Sequence, residues 1–110
     1  MAQTTAEERL VGLRPSGERI QVVAAIGLPY QVGEEEWACP VSLIGLHDGL
    51  PDIHGVSSLQ ALCLAASLLR QLLTEFVEGG GRLLHADGKA PFSITSCFSG
   101  VGLRPGDGSA

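Results

Sequence analysis

Two imidazoles and two carboxylates fall within the eight residues His47-Asp48-Gly49-Leu50-Pro51-Asp52-Ile53-His54. Nitrogen and oxygen ligands of this kind hold zinc or another divalent ion when a rigid frame turns them toward one point, and Cys39 or His85 could complete such a set. Here all four sit in one stretch punctuated by Gly49 and Pro51, which reads as a polar loop with no diagnostic ligand spacing. No metal and no other cofactor is therefore expected. A small metal-dependent protein using His47, Asp52 and His54 remains the alternative.

Covalent chemistry finds less support. The chain has no Gly-x-Ser-x-Gly elbow, and Cys39, Cys63 and Cys97 are odd in number, far apart and set beside no base. Without a Cys-x-x-Cys pair, neither a disulfide framework nor a structural zinc site is expected, and Cys63 reads as a small apolar residue within a helix. A phosphate cradle needs a glycine loop leading into a helix, whereas Gly79-Gly80-Gly81 follows one. Gly55-Val56-Ser57-Ser58 does open a helix, but the Ser57 side chain is suited to satisfy those amides itself. No catalytic residue is assigned, and the chain is expected not to be an enzyme.

Charge points elsewhere. Glu34-Glu35-Glu36 set three carboxylates beside Trp37, the only tryptophan, and close to Tyr30. Aromatic anchors with complementary charge recur at protein interfaces, so Glu34, Glu35, Glu36 and Trp37 form a candidate patch for a basic protein partner. The net charge of -5 suits such a partner and argues against nucleic acid, whose binding needs clustered Lys and Arg. The seven basic residues are scattered, and aromatic residues are too few to build a stacking platform.

The elements that must position these groups are readable in outline. With 110 residues, 45% of them apolar, the chain is long enough for one domain with a real core. Ala6 to Leu13 and Glu18 to Ile26 read as two strands joined by Arg14-Pro15-Ser16-Gly17, with Ile20, Val22 and Ala24 alternating onto one face. A loop follows from Leu28 to Gly33. Trp37 to Leu46 reads as a third strand with Trp37, Cys39, Val41 and Leu43 on one side, at a sheet edge or bulged at Pro40, which lacks an amide donor. His47 to His54 is then a loop.

One long helix lies between Ser57 and Gly79. Ser57 caps it, Gln60 reaches back, and Val56 is placed to staple onto the first turn. Steps of 100° gather Gln60, Ser67, Gln71, Thr74 and Glu78 on one side and Leu62, Ala65, Leu69, Leu73 and Phe76 opposite. Leu64 falls on the polar side, which makes it a second candidate partner-binding residue. Arg82 to His85 and Pro91 to Ile94 read as a short second hairpin around Asp87-Gly88. The fold expected is α+β, an antiparallel sheet of three to five strands packed against one long helix, in a single domain over residues 1–98 with a flexible tail over 99–110.

The order of these features resembles a family of small bacterial proteins of unknown function. Its members share a strand pair, a Trp-x-Cys-Pro strand, here Trp37-Ala38-Cys39-Pro40, and a Gly-Val-Asp-Ser-Leu-Gln-Ala-Leu helix, here Gly55-Val56-Ser57-Ser58-Leu59-Gln60-Ala61-Leu62. The resemblance runs from about Glu7 to Ile94, and Ser57 stands where Asp is expected, which keeps the capping role. It implies the same α+β fold and no catalytic residues.

The function expected is a non-enzymatic protein-binding module, in concrete form a bacterial immunity or adaptor protein that neutralises a basic toxin. A self-associating domain, a homodimer through the Pro40 strand or the Leu64 face, is the other alternative. The polar, acidic start Met1 to Arg9 is unlike a signal peptide, and the apolar run Ala61 to Leu69 is far short of the roughly 20 residues that span a bilayer. No membrane partner is expected, and the expected location is the cytoplasm.

Overall fold

A computed structural model describes residues 3–99. The first hairpin forms as its alternation dictates: β1 (Thr4–Leu13) pairs antiparallel with β2 (Arg19–Gly27), with Leu10 opposite Val22 and Glu8 opposite Ala24. The Arg14 to Glu18 turn closes through the Gly17 amide, which donates to the Arg14 carbonyl at 2.8 Å. Leu28 to Gly33 holds a strand that alternation did not reveal, β3 (Tyr30–Gly33), too short and too exposed to show a period.

The long third strand is two strands in two sheets. β4 (Glu36–Cys39) pairs with β3 on one side and with β6 (Ile53–Gly55) on the other. Immediately past Pro40 the chain continues as β5 (Val41–Ile44) and pairs instead with β2. The Pro40 carbonyl accepts from the Gly27 amide at 2.8 Å, while its missing amide donor falls at the crossing, where neither ladder requires one. One antiparallel sheet was expected. The protein has two, ordered β5-β2-β1-β7 and β3-β4-β6. β5 does lie at a sheet edge, as expected for the Pro40 strand, whereas β4 is central in the smaller sheet.

Both sheets pack on one helix, α1 (Ser58–Glu78), whose buried stripe is Ala61, Ala65, Leu69 and Leu73. This four-residue spacing keeps one narrow face inward. Trp37, Cys39, Val41 and Leu43 all turn toward the resulting core, so the alternation read from sequence survives the change of sheet. Ser57 caps α1 by accepting from the Gln60 amide at 3.1 Å, and Gln60 Oε1 accepts from the Val56 amide at 2.7 Å. Val56 forms no staple: its side chain is 63% exposed. Cys63 is exposed rather than packed.

The helix ends in a Schellman motif, with the Gly81 amide donating to Phe76 and the Gly80 amide to Val77, both at 3.0 Å. Gly80 takes φ +103°, which favours glycine. The chain then returns as β7 (Arg82–His85) against β1. The expected second hairpin is only a turn and one bridge, Leu84 to Pro91, because residue 94 opens a second helix, α2 (Ile94–Ser99). Among the described residues no helix is long and apolar enough to cross a membrane. Apart from Ser99, the last residue of α2, the expected tail lies outside the described residues.

Candidate interaction surface

The smaller sheet carries the candidate site on its outer face. Register sets Tyr30, Ala38 and His54 in one row across β3, β4 and β6. Ala38 has no exposed surface, and polar pairs flank it on both sides. The Tyr30 hydroxyl donates to Asp52, and His54 Nδ1 lies 2.7 Å from Glu36 Oε2. The bond to Asp52, with lesser contributions from burial and the carboxylate charge, holds the Tyr30 pKa above its ordinary value. A neutral phenol is the form that can donate, so the bond favours keeping its proton.

Within the histidine loop Asp52 faces Tyr30, His54 faces Glu36, and the His47 amide donates to the Leu43 carbonyl at 2.9 Å. Among the described residues no three His, Cys, Asp or Glu side chains converge to hold a metal. Cys39 lies on the inner side of the same strand with no exposed surface. Burial, and secondarily the Asp52 charge, push its thiol pKa up.

Glu34 and Glu35 form the exposed turn between β3 and β4, steadied by Gln31, whose side-chain amide donates to the Gly33 carbonyl at 2.9 Å. Trp37 pairs with Gly55, and continuing that register by one residue sets Glu36 opposite Val56. Gly55 permits the close approach, since a Cβ there would lie 2.7 Å from the Ala61 amide of α1. The start of α1 therefore follows directly on the segment that runs beside Glu36. Two apolar residues are exposed there, Val56 at 63% and Leu59 at 67%, while Tyr30 and Val32 on β3 are 44% and 46% exposed.

Of the residues singled out from sequence, Glu34, Glu35 and Glu36 thus share a surface, and Trp37 does not join them because its side chain packs on the core. Leu64 is exposed as expected, yet at 100° per residue it lies about 140° around α1 from Leu59, on a different stripe. Tyr30 was noted close to the glutamates, but sequence reasoning missed Val32, Asp52, His54, Val56 and Leu59 as members of this surface. Only the register of three short strands brings them together, and no local period encodes it.

Charge is segregated along the chain. Between Arg19 and Arg70 there is no Lys or Arg, while Glu34, Glu35, Glu36, Asp48 and Asp52 all fall in that interval. The opposite end of the larger sheet is basic: Arg19 and Arg82 flank Leu13 on neighbouring strands, and Arg19 Nη1 reaches the Gly88 carbonyl at 3.4 Å. Residues 7–93 match the model of a domain of unknown function, DUF6968. The chain belongs to this family. The DUF6968 match takes in every residue of the acidic surface but stops one residue short of α2. No curated protein and no solved structure matches the chain.

Proposed function

We propose that this DUF6968 domain is a non-enzymatic binding module that takes a basic protein partner on the surface formed by the β3 to β4 turn and the start of α1. The observation that supports this reading is the coincidence of exposed carboxylates with exposed apolar side chains, contributed by a stretch of sequence, 20–69, that holds no Lys or Arg. Val56, Leu59, Tyr30 and Val32 supply area that gains from leaving water, and Glu34 and Glu35 supply the charge that selects and steers a cationic partner. In its most specific form the role is that of a bacterial immunity or adaptor protein covering a basic toxin.

The test uses the full chain as bait in extracts of the source organism. The expected result is one stoichiometric partner of high isoelectric point, retained by the wild type, released at 0.5 M salt, and lost with E34K/E35K. Salt should act because the screening length shrinks to roughly 4 Å at that concentration. A partner held equally by wild type and the charge-reversed variant, or an acidic one, would sink the proposal.

A further inference from the structure

The larger sheet carries a cationic cluster on the face turned away from α1. Leu10, Val22 and Leu83 reach the core, so by strand alternation Leu13, Arg19 and Arg82 point outward. Register sets the two arginines on either side of Leu13, two strand spacings or about 10 Å apart. The turn after β7 folds over the same face, since Arg19 Nη1 donates to the Gly88 carbonyl at 3.4 Å, and Lys89 is the next residue. Arg9 and Arg14 are paired with Glu7 and Glu18, but among the described residues Arg19, Arg82 and Lys89 have no carboxylate at ion-pairing distance. Asp87 of that turn accepts instead from the Lys89 and Ala90 amides.

Glu34 and Glu35 are the complement, adjacent exposed carboxylates in a turn, likewise with no cation at ion-pairing distance among the described residues. α1 holds the two groups apart. Its start follows the strand beside Glu36, and its end brings Gly80 against Pro15 in the β1 to β2 turn, where a Cβ on Gly80 would lie 3.1 Å from the proline ring. The 21 residues between span roughly 31 Å at 1.5 Å each, too far for the groups to meet within one molecule. We infer that the glutamate turn of one molecule docks on the Arg19, Arg82 and Lys89 face of a second copy, head to tail. Guanidinium forks match carboxylates in geometry as well as charge. A contact between two different surfaces does not close on itself, so assemblies lengthen with concentration. The inference rests on the acidic surface of the binding role above and adds to it the basic face.

Light scattering on the purified full chain under reducing conditions tests it. Exposed ion pairs are individually weak, so association belongs to high concentration and low salt. The weight-average mass should at least double as the protein is concentrated at about 20 mM salt and return to the monomer at about 0.5 M, the screening length falling from roughly 20 Å to roughly 4 Å. E34K/E35K takes the net charge from -5 to -1 and relieves general repulsion, yet it should abolish association, as should R19E/R82E. Mixed in equal amounts the two variants should associate again, because one keeps the basic face and the other the acidic turn. A wild type monomeric throughout, association that survives 0.5 M salt or either reversal, or a mixture that stays monomeric overturns the inference. If circular dichroism shows R19E/R82E unfolded, K89E decides: it should raise the concentration needed to double the mass about threefold, as one exposed ion pair supplies, and no rise overturns the inference equally. The binding role fails separately, since R19E/R82E keeps Glu34 and Glu35 and should still retain a basic partner from extracts.

Discussion

Leu73 and Leu64 offer one chemical deletion at two positions of the same helix, and their contrast tests how α1 is rotated against the sheets. Leu73 is 1% exposed and lies in the buried stripe, whereas Leu64 is 42% exposed. Burying a leucine stabilises by about 1.5–3 kcal/mol, and truncation to Ala adds the cost of the cavity left behind, so Leu73→Ala should cost about 3 kcal/mol. Leu64 already keeps much of its surface in water. Its loss should cost roughly 0.5–1 kcal/mol, offset by a few tenths from the higher helix propensity of Ala. Unfolding entropy of about 2.1 cal/mol/K per residue gives about 0.23 kcal/mol/K for 110 residues. Calorimetry should then show Tm falling by about 13 °C for Leu73→Ala and by about 1–3 °C for Leu64→Ala. Comparable losses at the two positions would refute the helix orientation, and with it the exposure of Leu59 on which the acidic surface depends.

Three further outcomes are expected. Ser57→Ala removes the cap on the Gln60 amide and should destabilise by about 1 kcal/mol in urea unfolding, with the slope unchanged. Under native conditions Cys63, exposed, should react rapidly with a maleimide, whereas Cys39, buried with its thiol pKa raised, should react only on unfolding. The turn at Asp87 and the Tyr30 pair should respond to pH in opposite senses. Amides of Lys89 and Ala90 donate to the Asp87 carboxylate and lower its pKa, so its contribution is present above about pH 4 and lost as pH falls through the folded value. Stability of wild type relative to Asp87→Asn should therefore shrink in acid. The Tyr30 pKa is raised, so its contribution is present below about pH 10 and lost as pH rises through the folded value, which comparison with Tyr30→Phe should show.

What the sequence made legible was what it encodes locally. The β1 to β2 hairpin follows from alternation at Ile20, Val22 and Ala24, and α1 follows from the Ser57 cap, the apolar period and the glycines at its end. Leu64 was placed in water by helical geometry alone, and it is there. Local pattern failed wherever neighbours distant in sequence decide. β3 and β6 have four and three residues, too few for a period, and exist because β4 lies between them. Alternation through Trp37 to Leu43 is identical for one long strand and for two strands in different sheets, so the crossing at Pro40 was invisible. The acidic surface inherited both failures. Its glutamates stood out as a run of charge, while the apolar residues and the two polar pairs around them are assembled by strands that sequence reading took for loops.

The crossing at Pro40 also bears on which changes in length the domain can survive. Trp37 to Ile44 passes from one sheet to the other with no connecting loop, and every second residue points into the shared core. Deleting or inserting a single residue there would reverse the inward and outward sides of one sheet relative to the other, and no slack exists to absorb it. The exposed residues Asp48 and Gly49 and the turn at Glu34 and Glu35 carry no such constraint. Natural variation in length within the DUF6968 family should therefore accumulate at those two places and spare the eight residues of the crossing, leaving the rim of the proposed binding surface free to be remodelled for different partners.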